Sequence, residues 1–225
     1  FNTQLEGGKM FRIAMLLSGC GNMDGSEIHE SVSAIIAIDQ RGWDIVYTAP
    51  DVPQKRTVSH MSGKSITARN ALEESARIAR GAVEKLSEEL LGSIDAIVIP
   101  GGMGAALTLC DFALRGESCQ VHPEVEAFIV SAHRRGIPIG AMCIAPALVA
   151  RCIPGATVTI GTDKSTAEKI RGMGCEHVDC SPEESYTDMK NRVVSTPAYM
   201  TAEGPAQVLK GAESMVDALE KLISL

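Results

Sequence analysis

A set of short apolar runs without polar–apolar alternation constrains the fold of this chain most. Residues 11–17 (FRIAMLL), 96–99 (AIVI) and 137–141 (IPIGA) read as strands buried on both faces of a parallel sheet. Further strands are predicted at 43–48, 157–160, 177–180 and 192–196. Helices are predicted from Ser26 up to Gly42, at 67–80, 124–135, 144–151 and 166–171, and from about 205 to 223. Gly42, Gly81 and Gly136 follow three of these as stops. On the first helix, Ile28, Val32, Ile35 and Ile36, extended by Ile38, form the predicted apolar stripe. Strands alternating with helices over the whole length predict one α/β domain, spanning 10–225, with a mostly parallel sheet covered on both faces. In such sheets the ligand crevice lies at the carboxyl ends of the strands. The loop after the first strand, Gly101-Gly102 and the segment around Cys143 should meet there.

Cys143 falls between the strand 137–141 and the helix 144–151, with Ala141 and Ala145 two residues to either side. That small-x-Cys-x-small spacing suits a nucleophile elbow, where only small neighbours let strand and helix approach through a strained turn. The helix start directs its positive end at the sulfur, so a depressed thiol pKa is expected. The competing reading is a structural cysteine packed as a small hydrophobe. The residues leave both open.

Glu30 lies about a turn inside the first helix, out of phase with the apolar stripe. It is either a solvated surface acid or a carboxyl group beside the sulfur that moves protons. Glu27, His29 and Cys20 are weaker candidates on the same loop and helix. The amides of Gly101 or Gly102, with that of Ile144, could hold an oxyanion, or the glycines could serve a plain turn. The loop Ser18-Gly-Cys-Gly21, with Gly25 beyond it, invites a dinucleotide reading in which Asp51 binds ribose. Asp24, Glu27 and Glu30 at the helix start speak against it, since carboxylates there repel a pyrophosphate. None of the five histidines (29, 60, 122, 133, 177) has a compelling claim as a base for Cys143.

A net charge of -7 argues against a nucleic-acid partner, and no apolar run approaches a membrane span. Seven cysteines without a C-x-x-C pair suggest reduced thiols and no zinc site, in a bacterial cytoplasm or, alternatively, a mitochondrial matrix. Residues 1–9 fit no element and read as an appended remnant, with Met10 as the natural start.

The run LLSGCGNMDGSEIHE (16–30), with TAPD (48–51), ARNALEESARIARG (68–81), IPGGMGAA (99–106), AMCIAP (141–146), TIGTD (159–163) and STPAYM (195–200), resembles the ElbB-like family. That family belongs to the PfpI-type branch of the class I glutamine amidotransferase-like superfamily. The resemblance implies a flavodoxin-like three-layer sandwich, a homodimer and an elbow cysteine. It implies that Glu30 hydrogen-bonds Cys143 and that an oxyanion glycine falls on Gly101 or Gly102. It further implies a cofactor-independent glyoxalase-like enzyme, with no metal and a small aldehyde as substrate. Alternatives are a redox-responsive chaperone-like protein using the same cysteine and, more weakly, an amidotransferase subunit. The superfamily's proteases carry His after the cysteine, where this chain has Ile144. The family's link to isoprenoid biosynthesis has no counterpart among these residues.

Overall fold

The computed structural model describes residues 10–225; the segment 1–9, read above as an appended remnant, lies outside the described residues. The main sheet has seven strands in the order β3-β2-β1-β4-β5-β9-β8. These are β1 (Arg12–Leu16), β2 (Asp44–Ala49), β3 (Val83–Lys85), β4 (Ala96–Ile99), β5 (Ile139–Met142), β8 (Tyr186–Asp188) and β9 (Val193–Thr196). Every neighbouring pair is parallel except β8 and β9. A separate parallel ribbon joins β6 (Thr157–Val158) to β7 (Glu176–His177). The α/β architecture with a mostly parallel sheet is therefore as predicted, although the predicted strand at 157–160 leaves the main sheet. It is fastened to β9 instead, where the Thr159 amide donates to Ser195 Oγ at 2.9 Å.

Alternate residues of each central strand feed opposite cores, as the two-residue strand period requires. On one face Ala14, Leu16, Ile97, Ile99 and Ile139 pack with α4 (Pro123–Arg134) and α5 (Ala145–Cys152). On the other, Ile13, Met15, Val98, Met142 and Val194 pack with α1 (Ile28–Asp39) and α7 (Pro205–Ile223). The remaining helices are α2 (Ala71–Ile78), the single turn α3 (Phe112–Arg115) and α6 (Lys164–Gly172). Helix α2 starts later than predicted because Asn70 caps it, its side chain accepting from the amides of Leu72 and Glu73.

Helix α1 is rotated partly away from the expected orientation: Ile35 and Ile38 pack against the core, but the rest of the stripe does not. Ile28, Val32 and Ile36 are exposed, whereas Glu30, Ser31, Ser33, Ala34 and Ala37 are buried. The inward face is lined by small residues, which let α1 lie close beside α7 over the sheet; both helices contribute to one core cluster. Close backbone approach has outweighed the larger transfer free energy of the three β-branched side chains.

Gly140 in β5 shows how tight the α7 face is. A Cβ there would stand 2.9 Å from Leu219 Cδ1 and 3.0 Å from Met215 Sδ. Gly140→Val is expected to lower stability by about 1–3 kcal/mol through overpacking. Urea denaturation measures this, and an unchanged midpoint would mean that α7 can lift off β5 without cost.

Candidate active site

Cys143 stands between the end of β5 and the start of α5 with φ of 59°, a left-handed backbone that non-glycine residues rarely adopt. Its amide donates to Thr196 O at 3.0 Å, which ties the elbow to the end of β9. Ala141 and Ala145 are fully buried on either side, as the small-x-Cys-x-small spacing demands. Only 9% of Cys143 is exposed.

Glu30 is fully buried. Its Oε2 accepts from the Gly101 amide at 2.8 Å and its Oε1 from the Tyr199 amide at 3.3 Å, and the carboxyl hydrogen-bonds the Cys143 thiol. Burial pushes the carboxyl up to about 7, with repulsion from Glu27 adding to it; the bonds to Cys143, Gly101 and Tyr199 pull the other way. The buried Glu30 thus sits against the sulfur and is not a solvated surface acid.

The Cys143 thiol is raised well above its ordinary value, which overturns the expected depression. Burial is the main cause, followed by the charge and hydrogen bond of Glu30. The amides of Gly102 and Ile144 do point at the sulfur and favour the thiolate, but they are outweighed. A helix start lowers a thiol pKa only where desolvation and a neighbouring anion leave it room to act.

Gly101 cannot serve as an oxyanion donor while its N–H is held by Glu30. It is needed for another reason: a Cβ there would lie 2.5 Å from Cys143 Cβ and 2.8 Å from Glu30 Oε2. Gly102 and Ile144 remain the two amides facing the reactive atom. The glycine-rich loop after β1 also has a structural task. Gly104 N donates to Gly25 O at 2.9 Å and Met103 N to Asn22 O at 2.8 Å, so the loops after β1 and β4 are laced together. Asp51 accepts from Asn70 at 2.9 Å and does not line the cavity that reaches Cys143.

Glu27 caps α1, its Oε2 accepting from Glu30 N at 2.7 Å, and His29 Nδ1 lies 2.6 Å from Tyr199 Oη. Glu27, His29 and Tyr199 all line a cavity of about 750 Å³ that reaches Cys143. Tyr199 escaped the residue-by-residue reading, because it stands in a short turn after β9 that no periodicity marks. Cys20 does not join the site. It is half-buried near Arg77 and Glu74, with its thiol raised mainly by burial, and it does not line the cavity. His177 is buried elsewhere, accepting from Ile160 N at 3.2 Å. Among the described residues no three His, Cys, Asp or Glu side chains stand together as a metal site.

The Glu30 charge is a cause of the high thiol pKa, so removing it should act in a defined direction. Alkylation of Cys143 by iodoacetamide should still be accelerating at pH 9.0 in the native protein. In Glu30→Gln the midpoint should fall, because the thiolate no longer forms beside an anion. A midpoint that stays or rises would remove Glu30 as a cause.

No family model matches the chain. It is 39% identical over 216 residues to the Homo sapiens glutamine amidotransferase-like class 1 domain-containing protein 3, mitochondrial, covering 91% of this chain and 81% of that protein. Among solved structures, it is similar to an isoprenoid biosynthesis protein with amidotransferase-like domain from Ehrlichia chaffeensis. That match has a TM-score of 0.87 and 35% identity, over 94% of this chain and 99% of the other. A DJ-1 superfamily protein from Salmonella typhimurium, 19% identical with a TM-score of 0.55 over 96% of this chain and 89% of that one, shares the fold. The chain belongs to the family of glutamine amidotransferase-like class 1 domain proteins, built on the fold that DJ-1 superfamily members also have.

Proposed function

We propose that this protein is a cofactor-independent, glyoxalase-like enzyme of the ElbB-like group that converts glyoxal or methylglyoxal to the 2-hydroxy acid through Cys143. The observation that carries this reading is the buried hydrogen bond between Cys143 and a Glu30 carboxyl poised at about 7. A base with a pKa near the working pH is the efficient choice for proton transfer. A raised thiol pKa fits the same scheme, since Glu30 can take the thiol proton as the sulfur adds and no standing thiolate is needed.

The sulfur bonds to the aldehyde carbon, the thiol proton passes to Glu30, and the alkoxide forms near the amides of Gly102 and Ile144. Glu30 returns the proton to that oxygen, giving a hemithioacetal. The regenerated carboxylate then removes the hydrogen from the same carbon and delivers it to the adjacent carbonyl carbon, while the hydroxyl proton shifts to the neighbouring oxygen. The result is a thioester, which water cleaves to the 2-hydroxy acid and the free thiol. The His29–Tyr199 pair borders the same cavity and would exchange protons with the second oxygen.

Neither alternative gains from the geometry. A sensor thiol oxidises through its thiolate, and a buried, raised thiol disfavours that route. An amidotransferase needs a histidine base, whereas among the described residues the Cys143 thiol bonds Glu30 and the amides of Gly102 and Ile144, and its own amide donates to the Thr196 carbonyl. For compartment, the mitochondrial name of the Homo sapiens relative favours the matrix alternative over a bacterial cytoplasm. Recovery of the protein with a matrix marker on cell fractionation would bear this out, and exclusion from that fraction would reject it.

The reaction itself is tested by following glycolate formation from glyoxal. Cys143→Ala should abolish turnover, and Glu30→Gln should lower kcat by about 10²–10⁴-fold, the range for losing one positioned acid–base group. Equal rates in native protein and both variants would remove the proposal.

A further inference from the structure

The cavity is far larger than a two-carbon dialdehyde needs. At about 750 Å³ it lies in the range of pockets that enclose drug-sized ligands. Met23, Met103, Phe112 and Met200 give the cavity an apolar lining, and methionines adapt to varied shapes. Two cations, Arg56 and Lys169, line the same cavity. Among the described residues neither side chain makes an ion pair or a hydrogen bond. Scarcity of acids does not explain this, since 28 Asp and Glu face 21 Lys and Arg. Arg41, Arg69, Arg77 and Lys210 all find carboxylates. Arg56 is also half-buried, so part of this side chain is already held against the protein. Beside the sulfur the charge has the other sign: Glu27 lines the cavity and Glu30 bonds the thiol. A two-ended substrate would be oriented by that polarity, its anion repelled from the elbow and drawn to the cations.

We propose that the substrate is an anionic 2-oxoaldehyde whose aldehyde carbon meets Cys143 and whose carboxylate or phosphate ester is held by Arg56 and Lys169. This rests on the glyoxalase-like reading and names its substrate class. The chemistry balances without an outside oxidant. R–CO–CHO and water give R–CHOH–COO⁻ and a proton; the aldehyde carbon loses the two electrons that the ketone carbon gains. The S–C bond that forms on addition is the one that water breaks, and the water oxygen ends in the new carboxylate.

The test compares matched pairs: 4,5-dioxopentanoate with 2-oxopentanal, and 3-phosphooxy-2-oxopropanal with methylglyoxal. In at least one pair the anion should have a kcat/KM about 10- to 100-fold higher, the range for one or two charge-assisted contacts. The pair that shows it identifies carboxylate or phosphate. In the double variant Arg56→Gln, Lys169→Gln the ratio should fall toward one, mainly through KM. If that variant does not fold, Arg56→Lys and Lys169→Arg keep both charges, should keep the preference, and a rise in salt should erode it. Equal kcat/KM within both pairs, with turnover intact, overturns the anion site and leaves the glyoxalase-like reading standing. If no 2-oxoaldehyde is turned over, that reading fails and the site is judged on binding. Slower iodoacetamide labelling of Cys143 in the presence of 4-oxopentanoate or inorganic phosphate supports it, and unchanged labelling overturns it.

Discussion

The hydrogen bond between Glu30 and Cys143 joins two acids that water barely reaches. Burial holds both carboxyl and thiol up; the bond itself eases ionisation of Glu30, and Glu30 in turn makes the thiol harder to ionise. A buried carboxylate without partners costs several kcal/mol, and two adjacent anions in a low-dielectric site cost more. The fold limits the first cost with the amides of Gly101 and Tyr199 and avoids the second by leaving a proton with the pair. The supports come from separate parts of the chain: the start of α1, the loop after β4, the elbow after β5 and the turn after β9. Holding one acid therefore requires that four connections at the carboxyl edge of the sheet be placed together.

The glycines of that edge follow from the same requirement. Gly101 admits both the carboxyl and the thiol at distances that a Cβ would fill. Gly102, at φ of 89°, lies where a Cβ would come within 2.3 Å of Gly25 O. The loops can then lie against each other, backbone on backbone, and aim the Gly102 amide at the sulfur. The positive φ of Cys143 is local strain held by the surrounding packing, which is common where a reactive side chain must be presented rather than buried for stability.

Much of the architecture was legible in the sequence because the central strands β1, β4 and β5 lie inside both cores and so carry no polar alternation. The elbow was legible from the small residues at 141 and 145. What misled was the face of α1: by hydrophobicity Ile28, Val32 and Ile36 should point inward, but packing against α7 selects Ala34 and Ala37. Glu30 inherits its burial from that rotation, so its environment could not be read from periodicity. The thiol pKa was misjudged for a related reason, since helix polarity is visible in sequence and desolvation is not. Strands β3 and β8 are too short and too charged or polar to leave a pattern, and Tyr199 enters the cavity through a turn whose position depends on the end of β9.

Those two short strands also govern how the molecule meets its own kind. Both margins of the sheet are three residues long, Val83–Lys85 on one side and Tyr186–Asp188 on the other, and both carry charge. So brief and charged a border offers few unpaired amides and carbonyls for an added strand. Copies of this chain are thereby steered away from ribbon-like stacking. What the sheet presents to a neighbour is therefore side chains on helices and loops, where shape and chemistry can discriminate one surface from another.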